Sequence, residues 1–187
     1  MKAIEIIHEE HRALAAVLKS LEFVVAGIRA GRFAPDFQLL SALLDYISNV
    51  PDKVHHPKED EVLFPRIRER CAQAVPLLDQ LQAEHRQGPK NLLALAFALI
   101  HYQAVGPAGF EAFAAEVGLY LAFNWAHLHK EENELLPLVK HELSAEDWAA
   151  IDAEFAANKS PWAGVEGEFE VLFSSIVNMV PAPMGLG

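Results

Sequence analysis

Two eleven-residue segments of this chain superimpose at an offset of 72, and what repeats is polar. His55-His56-Pro57-Lys58-Glu59-Asp60-Glu61-Val62-Leu63-Phe64-Pro65 lies over His127-Leu128-His129-Lys130-Glu131-Glu132-Asn133-Glu134-Leu135-Leu136-Pro137. His, Lys, Glu, Leu and Pro coincide, and Asp60 faces Glu132. A second match follows at an offset of 74, where Glu10-His11-Arg12 recurs as Glu84-His85-Arg86. The chain therefore contains an internal duplication, and it falls on its polar residues.

The surrounding pattern is helical. Ile4, Ile7, His11, Leu14, Leu18, Leu21, Val25 and Ile28 recur in steps of three and four, which predicts one amphipathic helix over 3–30. Gly31 and Pro35 end it. Asp36 is placed to cap a second helix running to Arg70, which Pro51 and Pro57 are expected to kink or divide because each lacks an N–H. Leu78, Leu81, His85, Gly88, Leu92, Leu95, Leu99 and Tyr102 mark a third helix over 75–103. Gly106, Pro107 and Gly109 break it, and a fourth runs over 110–141. Beyond that, Ser144 and Asp147 resemble a capping box opening a short helix to about Asn158. A loop follows over 159–164, then another short helix over 166–180 and a Pro/Gly-rich tail. The expectation is an all-α fold. Residues 1–142 form the main body, and 143–187 form a C-terminal helical extension packing on it.

Each half therefore carries a helix with one stripe histidine, followed by a helix with a His-x-x-x-Glu pair. Residues i and i+4 share a helix face, so His55 and Glu59 reach one point, as do His127 and Glu131. His11 and His85 stand where the stripe calls for leucine. Four imidazoles and at least two carboxylates thus converge, and buried carboxylates cost several kcal/mol unless paired or metal-bound. Imidazole with carboxylate suits iron, manganese or zinc, and carboxylates from facing helices can bridge two metals.

Composition narrows the alternatives. The net charge of -11 repels phosphate backbones, so nucleic acid is not an expected partner. The single cysteine, Cys71, forms no internal disulfide. The first eleven residues carry carboxylates and histidines where a signal peptide needs an apolar stretch. The span Ala112 to Ala126 is interrupted by Glu116 and Asn124 and falls short of a membrane helix. The expected setting is the cytoplasm, without a membrane.

At these residues the sequence resembles the hemerythrin-like family of histidine–histidine–glutamate cation-binding domains. The motifs are Glu10-His11-Arg12, His55-x-x-x-Glu59 with Leu63-Phe64-Pro65, Glu84-His85-Arg86, and His127-x-x-x-Glu131-Glu132 with Leu135-Leu136-Pro137. They cover roughly residues 1–142, and the remainder is similar to the extension of a bacterial subgroup. The resemblance implies an up-down four-helix bundle around a di-iron centre. By motif match His11, His55, Glu59, His85 and His127 become ligands. For the helix 4 carboxylate both Glu131 at i+4, ahead on geometry, and Glu132 at i+5, the spacing of oxygen-carrying members, are expected ligands. Those members also have a second histidine on helix 3. Here its candidate positions hold Leu81 and Pro89. His56 is the residue placed to compensate, its alternative being a supporting or exposed position. His8 is one turn before His11 and could add to the centre. His129 points away from His127, and His101 and His141 lie several turns off. Gly88 beside Pro89 is either a kink or a small ligand pocket.

The function implied is oxygen or nitric oxide binding, redox sensing or iron handling, by a binding protein rather than an enzyme. A di-iron oxidase or peroxidase and a structural zinc protein are the competing readings. Small diatomic ligands or peroxide are the expected partners. A sensor of this kind would signal through a partner protein or a second copy; the apolar residues Trp148, Phe155, Phe169, Leu172 and Phe173 either supply an interface or, the favoured reading, pack against the bundle.

Overall fold

The structure is a computed structural model, and it describes residues 1–157 together with Val171, Ser174, Ile176, Asn178, Met179 and Val180. Among the described residues every regular element is helical. The first helix, α1, is Lys2–Arg29. Gly31, which follows α1, and Gly106 have φ of 66° and 68°, a backbone conformation that a side chain would resist. The second helix, α2, covers residues 37–70. Its N-terminus is capped by the Asp36 carboxylate, which accepts from the Gln38 and Leu39 amides at 3.0 Å each. The third, α3, is Val75–Val105, and the fourth, α4, covers residues 110–142. The fifth, α5, is Ala145–Ala157 and opens on the expected box: Ser144 Oγ accepts from the Asp147 amide, and the Ser144 amide donates to Asp147 Oδ2. The expected loop and the tail lie outside the described residues, as does most of the second short helix.

Prolines do not divide α2. The helix instead widens to π-turns at Pro51–His55 and Glu59–Leu63, and α4 does the same at Glu131–Leu135. Each turn ends two residues before a proline: Pro57, Pro65 and Pro137. A proline in a helix cannot donate to the carbonyl four residues back, and its ring collides with that oxygen. Adding one residue to the turn relieves the collision without ending the helix. Two of these turns begin at Glu59 and Glu131, the acidic members of the i,i+4 His–Glu pairs; His127 lies on ordinary α-helix, whereas His55 ends the preceding π-turn.

The four long helices pack in a ring, α1 on α2, α2 on α3, α3 on α4 and α4 on α1. Their apolar stripes form two separate cores. One contains Leu14 to Val25 of α1 with the matching stretches of the other helices, and takes in Ile176 and Val180. The other contains Ala3, Ile4 and Ile7, then Leu63, Ile67, Leu78, Leu81 and Leu135, and is closed by Trp148, Ile151 and Phe155 of α5. A polar layer lies between them. The stretch Ala72–Glu142, which spans α3 and α4, contains an apolar window long enough to cross a membrane by length and composition, contrary to the reading of 112–126. Its hairpin carries three of the polar-layer residues, His85, His127 and Glu131, into the core.

Candidate metal centre

Each long helix contributes to the polar layer at one level. His11 comes from α1, His55, His56 and Glu59 from α2, His85 from α3, and His127 and Glu131 from α4. Glu59 and Glu131 are 1% and 0% exposed, and His11, His55, His85 and His127 no more than 6%. Two donor groups result. Atoms of His11, His55, Glu59 and Glu131 lie within 4.8 Å of one another, and so do atoms of His56, His85 and His127. The two carboxylates stand between the groups. Glu131 is 3.2 Å from His11 Nε2, 3.1 Å from His127 Nε2 and 3.5 Å from His85 Nε2. Glu59 is 3.5 Å from both His55 Nε2 and His85 Nε2. His56, the residue expected to stand in for the absent helix 3 histidine, stacks on His85 with ring centroids 4.0 Å apart.

The outer nitrogens are held by a ring of carboxylates. Glu10 of α1 takes His55 Nδ1 at 2.9 Å, and Asp60 of α2 takes His85 Nδ1 at 3.0 Å. Glu84 of α3 takes His127 Nδ1 at 2.9 Å, and Glu132 of α4 takes His11 Nδ1 at 2.6 Å. Every helix thus orients a histidine of a neighbouring one. A carboxylate only accepts, so each Nδ1 carries a hydrogen and each Nε2 faces inward. Lys58 donates to Glu10 at 2.5 Å and Lys130 to Glu84 at 2.6 Å, repeating the duplication in the support of the histidines. Glu132 is instead joined by His8, whose Nδ1 is 2.8 Å away. His8, one turn before His11, thus supports the centre through Glu132, one of the two roles its position allows. Asp60 is the support that the sequence reading does not single out, although its pairing with Glu132 in the duplication points to it. Glu132 lies at the edge of the cluster and Glu131 inside it. His101, His129 and His141 are exposed.

Electrostatics follow this geometry. Burial opposes charge on His11, but Glu131 and Glu132 overcome it and hold the ring's pKa up at about 10. Burial likewise opposes charge on His85, and Asp60 and Glu131 hold it at about 10. Burial pushes His55 down and His56 well down, so both are neutral donors. Glu59 is driven well up by burial and by Glu131 beside it. Glu131 is also opposed by burial, but His127, His11 and His85 keep it ionised.

Both oxygens of Glu59, both of Glu131, and Nε2 of His85 and His127 are buried with no hydrogen-bond partner. The close approaches to them lack hydrogen-bond alignment. Each such group costs about 1–3 kcal/mol, more when charged. Six of them aimed at one region are what a cation would satisfy, and nitrogen and oxygen donors without sulfur fit iron, manganese or zinc.

A family model described as the hemerythrin HHE cation-binding domain matches residues 2–139. No curated protein and no solved structure matches the chain.

Proposed function

Because this chain belongs to the hemerythrin HHE cation-binding family, we propose that its two donor groups hold a pair of iron ions shared through Glu59 and Glu131. His11 and His55 would serve one ion, and His56, His85 and His127 the other. The observation that carries this reading is the position of the two carboxylates, whose unpartnered oxygens face imidazoles of both groups. When bound, such a pair supplies reversible binding or redox chemistry toward oxygen, nitric oxide or peroxide. The chain's own residues orient the imidazoles through Glu10, Asp60, Glu84 and Glu132, exclude water with the two apolar cores, and hold the protons that a cation displaces.

The functional reading is a cytoplasmic binding or sensing protein, in keeping with a single buried thiol. Structural zinc fits less well, because it takes four ligands as a rule and seven donors converge here. Elemental analysis of protein purified without chelator, read with its visible spectrum, tests the proposal. About two irons per chain with an oxo-to-iron absorption band supports it. One zinc per chain and no visible band overturns it.

A further inference from the structure

The duplication fails at one position inside the polar layer, and a cavity lies there. At the offset of 72 that superimposes the two halves, His56 corresponds to Leu128. His56 joins the donor group at the α2/α3 seam. Leu128 leaves the α1/α4 seam without a corresponding imidazole, and a cavity of about 270 Å³ opens beside it. His11 itself forms part of the wall.

Access to the buried donors must be lateral, because an apolar core covers the layer on each side. Two seams are fastened by a lysine on the orienting carboxylate, Lys58 on Glu10 at α1/α2 and Lys130 on Glu84 at α3/α4. At α2/α3 the rings of His56 and His85 stack across the seam, with His56 half-buried. At α1/α4 the outer contact is the His8–Glu132 pair, with side chains 38% and 30% exposed. The exposed Arg12 also lines the cavity, and Ala15, Trp125 and Leu128 make its apolar wall. Against that wall an uncharged visitor is favoured, since a charged one would shed its water with nothing to replace it.

We propose that this cavity is the port through which a small uncharged molecule of diatomic size reaches the centre. Leu128 and Ala15 are its inner gate and the His8–Glu132 pair its outer latch. This rests on the di-metal reading for what the port serves, but the port exists in the metal-free chain and is tested there too.

Nitric oxide is the probe for metal-loaded protein, and xenon for metal-free protein. Ala15→Phe should keep the wild-type metal content while slowing nitric oxide association by about ten-fold or more, an effect confined to the on-rate. Leu128→Ala should speed it. Ser48→Phe, in the separate groove between α2 and α3, should leave it unchanged. Under xenon pressure the Ala15 and Leu128 methyl resonances of the metal-free wild type should shift saturably, and in Ala15→Phe the Leu128 shift should vanish. The port is overturned if Ala15→Phe binds nitric oxide at the wild-type rate, if Ser48→Phe slows it equally, or if xenon leaves those methyls unmoved. A wild type without two metals but with saturable xenon shifts keeps the port and removes only the di-metal reading.

Discussion

Replacing Glu59 by Gln should stabilise the metal-free protein while weakening the metal-loaded one. Glu59 is 1% exposed, neither oxygen has a hydrogen-bond partner, and burial with Glu131 nearby raises its pKa well above the ordinary 4.5. The sign follows from linkage. A carboxyl whose folded pKa is raised binds its proton more tightly folded than unfolded, so it lowers stability progressively as pH climbs above 4.5. At pH 7 the interval is about 2.5 units, which caps the cost at about 3 kcal/mol. Gln has nearly the same shape and does not titrate. In a chain of 187 residues 1 kcal/mol moves Tm by about 2–4 °C, so Glu59→Gln should raise the metal-free Tm at pH 7 by up to about 10 °C. The gain should shrink to nothing near pH 4.5. Thermal melts of chelator-treated protein at pH 4.5, 6 and 7 measure this, and iron-loaded melts should show a smaller rise on loading for the variant. A metal-free variant less stable than wild type at pH 7 would refute the reasoning, because Glu59 would then be an ionised structural partner.

Other outcomes follow from the same geometry. His11 and His85 carry protons at neutral pH, with pKa values near 10, and Glu59 and His127 are raised as well, so metal binding should release at least two protons per chain and strengthen with rising pH. Calorimetry in buffers of different ionisation enthalpy reads the count, and an absence of release contradicts it. Glu84 is held at about 2, with burial outweighed by His127 and Lys130, so its support of the metal-free fold is complete above pH 4.5 and lost as pH falls toward 2. Glu84→Gln should flatten that part of the acid-denaturation curve, and an unchanged curve argues against the assignment. Glu131→Gln should abolish tight binding of the metal pair, whereas Glu132→Gln, which only frees His11 to turn, should cost about 10–100-fold in affinity. Equal losses in a competition titration would remove the distinction between the two residues.

The four helices were legible because their stripes are long and regular, and the residues of the polar layer were legible because duplication repeated them. The choice between Glu131 and Glu132 was legible only in part, since i+4 geometry favours Glu131 without excluding Glu132. Positions i+4 and i+5 exchange faces wherever a helix widens by one residue, and Pro137 forces such a widening nearby. Only the structure shows that it begins at Glu131, after the His127 pair, which leaves Glu131 pointing inward. Pro51 and Pro57 left two outcomes open for a related reason: a lost N–H can divide a helix or be absorbed by widening it, and local sequence does not say which. The carboxylate ring was half visible. Glu10 and Glu84 precede stripe histidines on their own helices, yet each serves a histidine on the next one, a relation fixed by packing. His56 and Leu128 occupy equivalent positions, and their different consequences appear only once the seams are closed.

The central claim is that two cations share Glu59 and Glu131 inside the bundle. Anomalous diffraction from crystals of the iron-loaded protein at the iron absorption edge tests it most directly. Two peaks are expected, one beside His11 and His55 and one beside His56, His85 and His127, with the two carboxylates between them. A single peak, or a peak outside the polar layer, would contradict the account.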